Sequence, residues 1–579
     1  MGNVYGIDLG TTYSAIATLE NNMPQVIVNF ADSKPLLASA VYFPEDGDPV
    51  IGEAAKNQLE VESDRVVQFV KREIGKADAQ KREFNGVTYD PITISSLILK
   101  RMAEYAKEQG HDVKDVVITC PAYFGNEERN ATRQAGIIAG FNVLNIVNEP
   151  TAAAFNYLSR EFKESKKIMV YDLGGGTFDI TLFDFSVEDG GKTTIDVICS
   201  GGNDRLGGAD WDARLFNYIA DLFVEEIGSI SRDDLNNDGE LKQKIRTLVE
   251  STKISLSSMA TKNFTINHNG ESVRLAVTRE KFEEITNDLV EQTVDYVNDL
   301  LKKSKTSSGD VDIVLLVGGS TRMPMIKTAV EKIFPAKVRF EDPDLAVAKG
   351  AALAAAVEYN ERIRDYIEQV ESGAAPAPNS EIEKIFGDGE APKTAKEAER
   401  LMISVPKTFE ESTKIIDRLS RSFGPAVLDS KREYLMIDNL LFVRDESPSE
   451  ITKEYYTPPG YPDSLKIEIY ENLLEKNDER NSTGQIKIED SKGNEISNDP
   501  ALLIKNIGQV VVELPPKTPE NAPIQFTIKA RTGGLDVIAK NPATGQIFEA
   551  FIASEHTLTP EQLNEEIKRF STITTRGDY

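Results

Sequence analysis

The sequence predicts a duplicated α/β domain, then a β-rich domain, then a short terminal helix. Three observations carry this expectation. Strand-like and helix-like stretches alternate from Asn3 to about Asp365, with turn residues between them. One strand–turn–strand pattern occurs twice, with Asp8 and Asp172 opening the two turns 164 positions apart. From about Phe423 the apolar period changes to two.

Taken in order, Val4–Ile7 and Ala15–Leu19 flank the turn Asp8-Leu9-Gly10-Thr11-Thr12 and read as a hairpin. Ile94–Glu108 has helical apolar spacing, Val116–Thr119 is a short strand, Asn126–Ala139 a second helix and Leu144–Val147 a second strand. Ile168–Asp172 and Phe178–Phe185 then repeat the first hairpin around Leu173-Gly174-Gly175-Gly176-Thr177. After Glu371 the run Ser372-Gly-Ala-Ala-Pro-Ala-Pro-Asn-Ser380 reads as a linker. Residues 381–421 carry helical patterns interrupted by Gly387, Gly389 and Pro392. Leu465–Tyr470, Gln509–Leu514, Gln525–Ala530 and Leu535–Lys540 alternate apolar and polar residues as half-buried strands do. Thr559 as N-cap, Pro560 as first helical residue and Glu561 start a helix that runs to about Phe570. The expected divisions are therefore 1–371, 372–422, 423–555 and 556–579.

Composition narrows the function. Hydrophobic residues are 40% and charged residues 28%, which suits a globular chain. A net charge of −28 repels a phosphate backbone and an anionic lipid surface, so neither nucleic acid nor membrane is an expected partner. Two cysteines, Cys120 and Cys199, cannot build a disulfide framework, and with three histidines they leave little material for zinc. The opening MGNVYGIDLG has neither a basic nor an apolar leader region, so a cytoplasmic location is expected. In that setting the tripeptide Arg576-Gly577-Asp578 reads as coincidence, and Trp211 as a packing residue.

A polyphosphate needs inward-facing backbone N–H groups and no side chains in the way. Gly174-Gly175-Gly176 offers that, and Gly10-Thr11-Thr12 offers it again with hydroxyl donors. Such loops neutralise little of a triphosphate's charge, so Mg²⁺ is implied, and Mg²⁺ keeps several waters while taking few carboxylates. Asp8 and Asp172 end strands just before the two loops, and Asp179 closes the second turn. A single such loop is also compatible with an ordinary tight turn; two at matched positions point to phosphate.

GIDLGTTYS (Gly6–Ser14) and YDLGGGTFDI (Tyr171–Ile180) resemble the two phosphate signatures of the actin–hexokinase–heat-shock superfamily, in the DnaK-type form. LLVGGSTRMPMI (Leu315–Ile326) resembles its adenosine signature, and Cys120–Phe124, Asn148–Ala154, Leu206–Trp211 and Asp342–Val347 match further segments. The resemblance covers about residues 3–358 and implies an actin-like ATPase domain, two lobes around a nucleotide cleft. It implies that Asp8, Asp172 and Asp179 hold Mg²⁺ and its waters, together with monovalent cations such as potassium. It puts Lys71 at the γ-phosphate and Glu149 beside the metal and attacking water, with Asp179 and Thr177 completing the catalytic set. Gly10, Thr11, Thr12, Tyr13, Gly174, Gly175, Gly176 and Thr177 fall at the ATP phosphates. Gly201, Gly202, Gly318, Gly319, Ser320, Arg322 and Asp344 fall where the family wraps the nucleotide, and Glu250, Lys253 and Ser257 at its ribose- and adenine-facing helix. Ile254 stands where an arginine usually stacks on adenine, so adenine binding is expected to persist, weakened by the lost cation–π contact.

The same resemblance implies a β-sandwich that grips unfolded or partner polypeptide, a helical lid, and a J-domain co-chaperone and nucleotide exchange factor as partners. Three features depart from it. No leucine-rich, aspartate-flanked linker is evident after Glu371, Asn145 replaces a coupling arginine, and the lid reads as one short helix. The expected function is an ATP-dependent chaperone relative with ATPase activity. The alternative is a nucleotide-dependent protein serving one dedicated partner. A small-molecule kinase or an actin-like filament would need motif versions that this chain lacks.

Overall fold

The computed structural model describes residues 3–577 except 30–32, 77, 160–163, 188–192, 341, 373–390, 407–408, 410–413, 420, 429–430, 432, 444, 448, 459–463, 477–483, 491, 496–501, 516–517, 532–533 and 553–556. The run 373–380 expected as a linker, with Gly387 and Gly389, lies outside the described residues.

The front domain is built from one unit used twice. In the first lobe, strand Val4–Asp8 pairs antiparallel with Tyr13–Glu20 and parallel with Asp115–Cys120, which pairs parallel with Asn142–Asn148. In the second lobe, Lys166–Leu173 pairs antiparallel with Phe178–Val187 and parallel with Ile313–Val317, which pairs parallel with Val338–Phe340. Helices Asn126–Ile138 and Pro324–Ile333 make the crossovers at equivalent places. Each crossover lets a parallel strand bury both faces, which is why Asp115–Cys120 and Ile313–Val317 are almost wholly buried.

Helices Glu149–Leu158 and Ala346–Ser372 follow the fourth strand of each unit and share a core with residues of both sheets. Their contact surfaces are alanine-rich because the backbones nearly touch. A Cβ at Gly350 would lie 1.6 Å from the Ala152 carbonyl oxygen. Trp211 is completely buried in the second-lobe core, as a packing residue should be.

Behind the front domain stand two antiparallel sheets. One has five strands in the order Gln485–Asp490, Tyr434–Asp438, Ser422–Leu428, Ser464–Asn472, Lys505–Glu513. The other has four, in the order Ser449–Tyr456, Pro523–Arg531, Gly534–Lys540, Ile547–Ile552. Ile469, Val510 and Val512 from the first sheet meet Phe526, Ile528 and Val537 from the second in one core.

The segment 372–422 differs from expectation. Among its described residues there is one short helix, Ala395–Glu399, and then a strand, Lys414–Arg418, where the sequence suggests helix. That strand pairs parallel with Thr194–Asp196 and so extends the second-lobe sheet. That strand carries the residues Ile415-Ile416-Asp417. The described residues 391–406 and Phe409 are tied to the front domain. Asn360 exchanges two hydrogen bonds with Ile403, each 2.8 Å, and Val405 and Phe409 are buried in the inter-sheet core. Asn145 donates to Glu358 at 3.2 Å.

The terminal helix is Pro560–Thr572, and Thr559 caps it through its hydroxyl, as expected. It packs on the first lobe of the front domain. Among the described residues no helix is long and apolar enough to cross a membrane.

Candidate nucleotide site

The two hairpin turns face one another. A Cβ on Gly175 would lie 2.0 Å from Thr12 Oγ1, and one on Gly176 would lie 2.4 Å from Thr11 Cγ2. Glycine is therefore required where the loops abut, whatever the backbone angles. Gly10 is under the same constraint from within its own loop, since a Cβ there would lie 1.9 Å from the Tyr13 carbonyl oxygen.

Each loop is fixed from outside. The Ser39 hydroxyl donates to the Gly10 carbonyl at 2.8 Å and lies 2.9 Å from the Ser14 hydroxyl, which accepts from the Gly10 amide at 3.1 Å. In the second loop every glycine carbonyl is engaged. Gly174 O accepts from the Gly208 amide at 2.9 Å and from Ser320 Oγ at 2.8 Å. Gly175 O accepts from the Ala209 amide at 2.8 Å. Gly176 O accepts from Arg72 Nε at 3.0 Å and Nη2 at 2.6 Å, a reach from the first lobe to the second. Thr177 closes the turn, its carbonyl accepting from the Gly174 amide at 3.0 Å.

Beneath the loops lies a buried charged group. Lys71 and Glu149, 4% and 7% exposed, form a close ion pair. Burial works against the Lys71 charge, but the Glu149 and Asp8 carboxylates outweigh it and hold its pKa above the ordinary lysine value. Asp8 is pushed up to about 7 by burial and the Glu149 charge, against the opposing pull of Lys71 and the Thr119 hydroxyl. Asp172 and Asp179 sit directly opposite each other across the second hairpin. Burial first, and the charge of Glu149 next, hold both well above the usual carboxylate range. Asp179 also accepts from the Ala122 amide at 2.8 Å. Four carboxylates thus share one buried lysine. Among the described residues, no three carboxylate, histidine or cysteine side chains converge closely enough to ligate one metal directly.

The remaining expected residues surround this centre. Gly202 pairs with Asp179 in the adjoining strand, and Gly201 with Ile180. Gly318 has φ 83°, and a Cβ there would lie 2.6 Å from Asp172 Oδ1, so no other residue fits between that carboxylate and the turn Gly319–Arg322. Arg322 pairs with Asp344 at 2.5 Å and Ser320 holds Gly174, so this third motif is tied to the second loop.

Glu250, Lys253 and Ser257 lie on one helix, Gly239–Ser258, but do different things. Glu250 crosses the cleft, accepting from Lys56 Nζ at 2.5 Å and from the Tyr13 hydroxyl at 3.3 Å. Lys253 turns to Asp212 at 2.6 Å and the Gly208 carbonyl at 3.1 Å, where it braces the second loop. Ser257 donates to the Lys253 carbonyl at 3.4 Å, and Ile254 is exposed.

Sequence reasoning missed Arg72, Ser39 and Lys56. Arg72 was within reach, since it follows Lys71 directly. Lys56 carries no local signal, because its partner lies 194 positions on.

Comparison with known proteins agrees with this geometry. A family model described as Hsp70 protein matches residues 4–369. The chain is similar to chaperone protein DnaK of Thermosipho melanesiensis, 40% identical over 363 residues that cover 61% of this chain and 59% of that protein. It is equally similar to chaperone protein DnaK of Thermosipho africanus, with the same identity and coverage. The chain thus spans 59% of the length of these curated relatives. The matched region is the whole front domain with its two facing hairpins, an actin-like ATPase fold, and the chain belongs to the Hsp70 family in its DnaK-type form.

Proposed function

We propose that this chain binds ATP with Mg²⁺ between its two loops and hydrolyses it to ADP and phosphate. Nucleotide state then governs polypeptide binding by the rear β domain. The observation that carries the reading is the pair of abutting loops above one lysine and four carboxylates.

The chemistry follows from how these groups are committed. With the carbonyls of Gly174, Gly175 and Gly176 engaged, the amides that share their peptide planes, those of Gly175, Gly176 and Thr177, turn the other way, where they would meet a phosphate. Thr12 Oγ1 is buried without a hydrogen-bond partner among the described residues, and a phosphate oxygen would supply one. Gly10, Thr11, Tyr13, Gly174, Gly175 and Gly176 would line the triphosphate, with Thr177 donating its hydroxyl.

The carboxylates also suit a divalent cation. Burial first, and the Glu149 charge next, raise the Asp8, Asp172 and Asp179 carboxyls, and a cation among them would favour their charged forms. With no direct three-ligand cluster, the ion would be held mostly through water and phosphate, as Mg²⁺ prefers. Mg²⁺ supplies charge neutralisation on the phosphates. Lys71 would then swing from Glu149 to the γ-phosphate, leaving Glu149 to orient the attacking water together with Asp179. Phosphoryl transfer of this kind is positioning and electrostatics. Gly201, Gly202, Gly318, Gly319, Ser320, Arg322 and Asp344 would enclose the nucleoside, with Glu250 at the ribose.

Polypeptide binding rests on the relatives named as chaperones and on the presence of a β domain behind the ATPase. Strand Lys414–Arg418 gives the two parts a physical connection, since it pairs with Thr194–Asp196 in front and with Glu446–Ser447 behind. That weakens the dedicated-partner alternative, which drew on a missing linker.

Steady-state ATP turnover of the full chain, with and without an unfolded peptide, tests the reading. Slow turnover is expected, raised by peptide, and about 10²–10³-fold lower in Lys71→Ala. Equal turnover in the variant would defeat the catalytic assignment, and indifference to peptide would defeat the coupling.

A further inference from the structure

The β domain meets the first lobe at the start of helix Asn126–Ile138, and the seam between them is charged and buried. Glu127 and Glu128 come from the first turn of that helix. Glu471, Lys505 and Arg421 come from the β domain. Glu471 and Lys505 stand directly opposite each other on neighbouring strands, and Arg421 precedes strand Ser422–Leu428. Lys505 pairs with Glu127 across the seam. At Gly125 the two sides nearly touch. A Cβ there would lie 3.1 Å from Glu128 Oε2, 3.8 Å from Glu471 Oε1 and 3.9 Å from Arg421 Nε. Glu127 is 4% exposed and Glu471 7%, yet Glu127 Oε1 and Glu471 Oε2 have no hydrogen-bond partner among the described residues. Three carboxylates thus face two cations, and a buried carboxylate oxygen without a donor is costly while the group stays charged. No cluster among the described residues could hold a metal, so a proton is the neutraliser that fits.

We propose that this seam is a proton-operated latch: Glu471 takes up a proton when the β domain docks on the first lobe, so docking tightens in mildly acid solution and loosens as the pH rises. Five influences act on the Glu471 carboxyl. Burial raises it most, Arg421 opposes, Glu128 raises, Lys505 opposes and Glu127 raises, and the balance pushes it up to about 7. Undocking would separate these influences unequally. Arg421 and Lys505 belong to the β domain and stay beside Glu471. Glu127 and Glu128 belong to the front domain and are lost, together with the burial that Gly125 provides. Undocked Glu471 therefore returns toward the ordinary carboxyl range, and the docked form binds the extra proton. A carboxyl raised by docking contributes fully below its undocked value, and that contribution is lost as the pH rises through about 7. Glu128 is raised as well, by burial first, and acts in the same direction. The latch needs no nucleotide, so it stands or falls apart from the ATP site.

Energy transfer between dyes on two introduced cysteines tests this in the full chain. Asp112→Cys marks the first lobe and Leu428→Cys the β domain, both at exposed positions, while the two native cysteines are buried. Transfer is followed from about pH 5 to about pH 9, without nucleotide and again with a slowly hydrolysed Mg-ATP analogue, so that any nucleotide effect is read separately. High transfer in acid is expected, falling with a midpoint near pH 7. Glu471→Gln is neutral throughout and should keep the acid value across the range. Arg421→Ala removes a charge that opposes the proton, and should move the midpoint upward by about one pH unit or more. A merely structural contact would instead lose transfer at every pH. Transfer that is flat with pH in both conditions would overturn the latch. So would a wild-type fall in Glu471→Gln, or a midpoint in Arg421→Ala that stays or drops. If Glu471→Gln does not fold, the Arg421→Ala midpoint decides alone.

Discussion

The first phosphate loop is held by side-chain hydroxyls, and the second by space and by an arginine from the opposite lobe. Ser14 and Ser39 engage both the amide and the carbonyl of Gly10, so the first loop is fixed within its own lobe. The second loop has its carbonyls taken by Gly208, Ala209, Ser320 and Arg72, and its glycines leave no room toward the first loop. Two copies of one hairpin reach the same shape by different means. The difference leads us to expect that the second is the loop that senses lobe closure. Among the described residues only that loop is bonded across the cleft through its own backbone, so lobe closure would act on Gly176 directly.

Substitutions can break this comparison, and their expected effects fall in order. The largest belongs to Gly175→Ala, whose new methyl would meet the Thr12 side chain at 2.0 Å and force the loops apart. A displacement of that size should lower ATP turnover about 10²-fold. Gly174→Ala should lose less, because its Cβ meets no protein atom closer than the Thr177 carbonyl at 3.6 Å. Equal loss in the two variants would refute the facing-loop geometry.

Arg72→Ala comes next. It removes two hydrogen bonds from a charged donor to Gly176 O, a loss of about 1.5–3 kcal/mol, or roughly 10–100-fold in ATP affinity. Ser39→Ala removes neutral bonds in the first loop, so about 0.5–1.5 kcal/mol and a roughly 2–10-fold weaker affinity are expected. If the serine variant proved worse than the arginine variant, the second loop would not be the one that senses closure.

The smallest effect is predicted for Lys56→Ala. Its partly buried pair with Glu250 joins the lobes away from the phosphates. Such a pair contributes about 0.2–1 kcal/mol, so ADP release in stopped flow should quicken about 1.4–5-fold with the chemical step unchanged.

These contrasts also explain what could be read from sequence. Asp-Leu-Gly twice, each between apolar runs, marks both hairpins because the information is local and repeated. The parallel crossovers follow from the same duplication. Ser39 and Lys56 were invisible because their function depends on partners that topology brings close, whereas Arg72 lay next to the expected Lys71. Strand Lys414–Arg418 was missed for a related reason. Five residues do not establish a period of two, and the partner strand Thr194–Asp196 lies far upstream. The terminal helix shows the limit from the other side. Its capping residues and amphipathic spacing announce a helix with a buried face, but not which surface buries it.

The central claim is that the two loops and the carboxylates beneath them form one Mg-ATP site. Calorimetric titration of the wild type with ATP, with and without Mg²⁺, and of Asp8→Asn beside it, tests this most directly. Saturable heat that requires Mg²⁺ and is weakened in Asp8→Asn is predicted. No heat from the wild type, or the same heat without Mg²⁺ and in the variant, would contradict it.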